Sequence, residues 1–181
     1  TINPYSIKDV IQAVVTGIGL PWLTLALGRR LFGNAAGWVA AVMAALYAYF
    51  IYYAPALMTE PWYLMSVLGM LLLAIALAQV PPADSDAAPP SSRLGLALGL
   101  GLTIAAAALL RQLILLFVPF LFAWIWWAAR WAGRAWIVRH LVLAGVVVVL
   151  FILPFTVFNY QRFGQPVLLN TNAGFAFYWA N

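Results

Sequence analysis

The feature that most constrains this chain is the recurrence of long apolar runs, broken only by single charges or short polar turns. Six such segments stand out, at residues 10–27, 35–53, 62–80, 94–110, 113–129 and 137–158. Each is about as long as a helix must be to cross a hydrocarbon layer of about 30 Å. They are rich in Leu, Val, Ala and Trp on all sides and carry no polar stripe, so they do not read as helices lying in an interface. The fourth and fifth are separated only by Arg111 and Gln112. Taken as one helix, about 35 residues at ~1.5 Å each reach about 52 Å, too long for one crossing, so the pair reads as a tight hairpin with Arg111 at its tip. The expectation is an all-α polytopic transmembrane helical bundle of about six spanning helices. It forms a single transmembrane domain over 1–181, with an extracytoplasmic tail from 159 to 181.

Charge decides which way such a bundle faces. Only 7% of residues are charged and the mean hydropathy is +0.99, far from an ordinary soluble domain. The basic residues, all Arg except Lys8, are scattered near the ends of apolar runs, which is the pattern of topology signals and not of a nucleic-acid footprint. One set of connections, "GRRLFGN" (28–34), the Pro/Ala/Ser/Asp-rich linker 81–93 and "RWAGR" (130–134) with Arg139, holds Arg29, Arg30, Arg93, Arg130, Arg134 and Arg139. The other set, the N-terminus, the "APALMTEP" turn, the hairpin tip and the tail, holds Lys8, Arg111 and Arg162. The positive-inside rule makes the first set cytoplasmic, which puts Glu60, Arg111 and the Asn-rich tail on the extracytoplasmic side.

Few residues are left to carry chemistry. No cysteine is present, so thiolate metal sites, disulfides and thiol nucleophiles are excluded. Phosphate-loop, zinc-protease and nucleophile-elbow motifs are missing, and the only carboxylates close in sequence, Asp84 and Asp86, lie in the linker. His140 has no second ligand near it in sequence, so no metal is indicated, although a divalent ion is compatible with the chemistry considered below. The glycines of "LGLALGLGL" (94–102) suit close helix packing, and most of the Trp and Tyr near span ends read as an interfacial belt. Glu60, in "ALMTEPWYL", has two readings that stand side by side. Thr59 is placed to cap a helix starting at Pro61, with Glu60 favourably seated on its dipole by about 0.3–1 kcal/mol. Glu60 is also one of the few polar residues on the outer face that no topology signal explains. Arg111 likewise reads either as a snorkelling side chain or as an anion-binding group.

Three stretches together resemble a known family. "LGRRLFGNAAGWVAAVMAALYAYFIYYAPALMTEPWYLM" (27–65), "LGLALGLGLTIAAAALLRQLILLFVPFLFAW" (94–124) and "PFTVFNYQRFGQPVLLNTNAGFAFYWAN" (154–181) are similar, in order and spacing, to integral-membrane glycosyltransferases of the GT-C fold. The nearest branch contains protein O-mannosyltransferases and lipid A aminoarabinose transferases. The resemblance implies transfer of a sugar from a polyprenyl-phosphate carrier to an extracytoplasmic lipid or protein acceptor, in a setting such as the bacterial inner membrane. It also implies a catalytic Asp in a long extracytoplasmic loop upstream of Thr1, a position that Asp9 does not match, so the chain reads as a fragment extended at both ends in the full protein. Arg111 matches a family Arg that usually stands in "TRP", where this chain has "LRQ". Glu60 matches the acid of the "SE" or "TE" turn. The resemblance thus implies that Arg111, Glu60, Arg162 and Tyr160 bind the donor phosphate or sugar, with Asn159, Asn170 and Asn172 at the rim. The competing reading is a non-enzymatic transporter or flippase module, which would call for broken helices and polar residues at mid-membrane.

Overall fold

The computed structural model describes residues 7–53, 58–79, 93–165 and 167–169; Asn170 and Asn172 lie outside them. The described residues fold as helices joined by short turns, with no strand among them. The helices are α1 (Ile7–Phe32), α2 (Asn34–Leu46), α3 (Ala48–Tyr53), α4 (Glu60–Ala78), α5 (Leu94–Leu110), α6 (Ile114–Ala128) and α7 (Arg134–Phe163), with one 3-10 turn at Arg130–Ala132. By length and composition α1, α4 and α7 can each cross a bilayer, which makes this a membrane protein. Residues 7–75 and 76–169 form two compact units, with the boundary near the end of α4.

Helices occupy all six predicted segments, and their limits differ for physical reasons. α1 and α7 run beyond the apolar windows because a helix does not stop where hydrocarbon does: Arg29 and Arg30 complete the last turn of α1, and Arg134 opens α7. The segment expected as one helix over 35–53 is broken. Tyr47 leaves helical geometry at φ −67° and ψ 111°, and α3 restarts with the Ile51 amide bonded to the Tyr47 carbonyl at 3.1 Å. No proline or glycine stands at the break. It falls in an aromatic run, whose side chains lose rotamer freedom in a helix, and there Tyr47 and Phe50 meet edge to face with centroids 5.0 Å apart.

In the first unit, α1 turns into α2 at Gly33, whose φ of 91° suits glycine. The two helices then touch backbone to backbone: a Cβ on Gly28 would lie 2.9 Å from the Gly37 Cα. Small residues permit this approach in the way described for membrane helices. α4 runs in the same direction as α1, since Trp62 meets Gln12 and Met65 meets Gly19.

In the second unit, Gly101 of α5 is pressed on α7; a Cβ there would stand 2.6 Å from the Ala144 carbonyl oxygen and 2.7 Å from the Val147 Cβ. The packed stripe of α5 (Ala97, Leu100, Gly101, Ile104, Ala105, Ala108) keeps helical spacing. It faces Ala144, Val147 and Val148 of α7. Of the predicted packing glycines Gly101 acts this way, whereas nothing lies within 4 Å of a Cβ on Gly95. Phe122 of α6 meets α7 at Gly145, the level at which Gly101 meets it. The turns at 111–113 and 129–133 therefore each reverse the chain, and α5 and α7 run the same way. The outside carries large apolar side chains such as Phe120, Trp127, Val142 and Leu150, a surface suited to lipid.

Candidate functional site

Glu60 opens α4. The Thr59 carbonyl accepts the first helical bond, from the Tyr63 amide at 2.9 Å, so the carboxylate sits in the first turn, where the helix dipole favours it. The helix thus begins at Glu60, one residue before the expected Pro61, and Pro61 is buried. The same Glu60 also lines a cavity of about 60 Å³ inside the first unit. α1 contributes Thr16, Gly17 and Pro21, and α3 contributes Tyr49 and Phe50. The break at Tyr47 is what turns Tyr49 and Phe50 toward this space; their rings stand 6.4 Å apart at 67°.

The polar residues of α1 in this region were not singled out by the sequence. Gln12 and Thr16, one turn apart, are only 5% and 1% exposed. The Gln12 side-chain oxygen accepts from the Trp62 indole N–H at 3.2 Å, tying α1 to the start of α4. The Thr16 hydroxyl donates to the Gln12 carbonyl at 2.8 Å, which leaves its oxygen lone pairs available. Pro21 stands inside α1 and has no N–H, so the carbonyl of Gly17, four residues back, lacks its intrahelical donor. Two polar residues spaced i, i+4 and a proline four residues beyond a glycine are the signals in the sequence that could have pointed here.

The second unit holds the other candidates. Arg111 ends α5 in extended geometry, its amide bonded to the Ala107 carbonyl at 2.8 Å, and its side chain is exposed. It stands at the tip of the α5–α6 hairpin, where the sequence put it. At a rise of ~1.5 Å per residue, Arg111 lies about 15 Å beyond the Gly101 crossing, and Asn159 roughly 20 Å beyond it along α7. Arg111, Asn159, Tyr160 and Arg162 therefore share one end of this unit, and Arg93, Arg130, Arg134 and Arg139 mark the other. Tyr160 is exposed, and the Arg162 guanidinium lies 5.9 Å from the Phe163 ring. Asn159 is committed to structure: its amide donates to the Val167 and Leu169 carbonyls at 3.4 and 3.2 Å, while Thr156 donates to Leu168 at 2.7 Å. With Gly164 as left-handed cap, these bonds fold 167–169 back on α7.

His140 is buried. Its Nδ1 lies 2.8 Å from the Trp136 carbonyl, and its ring stacks on Trp136 with centroids 4.0 Å apart. A carbonyl only accepts, so Nδ1 carries the proton. Among the described residues no cluster of His, Cys, Asp and Glu could hold a metal ion. No protein family, curated protein or solved structure matches this chain.

Proposed function

We propose that this chain is part of a membrane glycosyltransferase of the GT-C type, which moves a sugar from a polyprenyl-phosphate carrier to an acceptor on the extracytoplasmic face. The observation that carries the reading is the separation of roles at the ends of the helices. In the second unit the arginines of the expected cytoplasmic side gather at one end, and Arg111, Tyr160 and Arg162 at the other. In the first unit Glu60 stands at the end away from Arg29 and Arg30. Within each unit taken by itself, this separation supports the reading.

The chemistry follows from charge. The acceptor oxygen or nitrogen forms a bond to the anomeric carbon, the bond from that carbon to the carrier phosphate breaks, and the acceptor's proton goes to a general base. Negative charge grows on the phosphate oxygens as that bond breaks. A guanidinium at the membrane surface would stabilise it, and Arg111 at the hairpin tip is the candidate. Glu60 then serves the sugar. The test is transfer of radiolabelled sugar from polyprenyl-phosphate donors by the full-length protein. Wild type transfers label and Arg111→Ala loses at least tenfold, a modest loss for removing one charged contact in a transition state. Equal turnover in the two removes Arg111 from the donor site.

One observation favours the competing transporter or flippase reading: the broken segment at Tyr47, beside an α1 that carries Pro21 in its interior, since broken helices around a cavity are what carriers use. Movement of a polyprenyl-phosphate sugar between leaflets of proteoliposomes, with no transfer to any acceptor, would establish that alternative.

A further inference from the structure

The turn between α6 and α7 gathers positive charge that the sequence around it does not cancel. Arg130 and Arg134 flank it, with Arg93 and Arg139 at the same end of the second unit. From residue 87 onward the sequence holds no Asp or Glu, and the linker before α5 brings only Asp84 and Asp86, outside the described residues, against these four cations. The Arg130 guanidinium is held in place. It lies 4.9 Å from the centre of the Trp127 ring and 5.0 Å from that of Trp131, and it donates to the Trp127 carbonyl at 3.2 Å. An arginine presents a planar fork of N–H donors, more than this one bond occupies, and the fork matches a phosphate. Arg134 opens α7 with its side chain exposed.

What surrounds the pair is a surface suited to lipid. Trp127 and Trp131 are 65% and 68% exposed, and indole rings of this kind settle at the level of the headgroups. Beyond them α7 exposes Val138, Val142 and Val146, and α6 exposes Phe120, so hydrocarbon contact begins where the arginines end. Four residues of chain span at most ~14 Å, within the combined reach of two extended arginine side chains, so one phosphate can bridge Arg130 and Arg134. The other two cations stand apart from this pair. Arg93 donates to the Gln79 carbonyl at 3.3 Å, and Arg139 lies five residues past Arg134, about 140° round the helix. A free anion would use the arginines and leave the indoles and valines bare; a lipid uses both.

We infer that the α6–α7 turn binds the headgroup of an anionic phospholipid, with the phosphate between Arg130 and Arg134, the glycerol backbone against Trp127 and Trp131, and the acyl chains along α6 and α7. A zwitterionic lipid brings the same phosphate with its charge already cancelled by choline, so the turn selects headgroups of net negative charge. All four arginines serve as topology signals; two of them also build a site, and two do not. This site is independent of the glycosyltransferase reading.

The chain has no cysteine, so a fluorophore on Ala135→Cys, an exposed position beside Arg134, reports on this turn alone. The labelled protein is placed in phosphatidylcholine nanodiscs with a shallow acyl-chain quencher carried either by phosphatidylglycerol or by phosphatidylcholine, and the two quenching curves give the preference for the anionic lipid. An arginine near an anionic headgroup contributes about 1 kcal/mol, or about fivefold, so two predict a preference of roughly twentyfold. Arg130→Gln and Arg134→Gln are each expected to lower it about fivefold, and Arg139→Gln less than twofold. Unfolding midpoints like that of the unsubstituted chain show that the variants fold, and the Arg134→Gln arm stands even if Arg130→Gln disturbs the turn. Equal quenching by the two lipids overturns the inference. So does an equal loss in all three variants, which marks diffuse attraction, and so does displacement by millimolar glycerol phosphate, which marks a site for free anions.

Discussion

Replacing Gly101 by Ala adds one methyl group where α5 and α7 touch. That Cβ would stand 2.6 Å from a backbone oxygen of Ala144 and 2.7 Å from the Val147 Cβ. Ordinary contact begins near ~3.5 Å, so the helices must part by about 1 Å at the crossing. The oxygen belongs to the backbone of a 30-residue helix and cannot rotate away. A gap of about 1 Å forfeits a quarter to a half of the dispersion energy for atoms facing it, and the neighbours that lose contact include Leu100, Ile104, Ala144 and Val148. Overpacking of this kind costs typically 1–3 kcal/mol, and the better helix propensity of alanine offsets at most ~1 of that. The net expectation is destabilisation by about 1–2 kcal/mol. Gly95→Ala makes the same change in the same helix with nothing within 4 Å, so it isolates propensity from packing. Equilibrium unfolding by SDS in mixed micelles, followed by tryptophan fluorescence, reads both variants. Equal midpoints for Gly101→Ala and Gly95→Ala would refute the packing described for the second unit.

Gln12→Leu leaves the Trp62 indole N–H without its acceptor and should cost about 1–2 kcal/mol in the same unfolding assay. His140→Phe should shift stability by no more than about 0.5 kcal/mol in either direction. His140 Nε2 and Trp136 Nε1 are buried with no hydrogen-bond partner among the described residues, and an apolar ring of similar shape removes an uncompensated group. Asn159→Leu removes two donors to the returning chain; proteolytic nicking at 165–169 should rise about five- to thirtyfold, the equivalent of 1–2 kcal/mol in the closed-to-open equilibrium.

Apolar length and the positions of single arginines made the helical architecture legible. The tip at Arg111 was readable because two polar residues cannot sit in mid-membrane of a helix too long to cross once. The break at Tyr47 was not readable, since an aromatic run at a span end looks the same whether it forms a belt or a kink. The α1 side of the cavity was hidden for a similar reason. Gln12, Thr16 and Pro21 are spread thinly through an apolar run, and only the folded structure shows Thr16 and Pro21 lining one cavity with Glu60 while Gln12 meets Trp62. Asn159 illustrates the converse: a polar residue near a span end suggested a ligand, and the structure shows its amide holding the backbone of 167–169.

The proposed function requires that Glu60, Arg111 and the end of α7 open on the same, extracytoplasmic side. Because the chain has no cysteine, single cysteines report their own position without background. Met58→Cys, Leu113→Cys and Gln165→Cys, all at exposed positions, should react with a membrane-impermeant maleimide in intact cells. Arg30→Cys and Trp131→Cys should react only after the membrane is opened. Labelling of Met58→Cys and Leu113→Cys from opposite sides would contradict the account, because Glu60 and Arg111 could not then serve one donor.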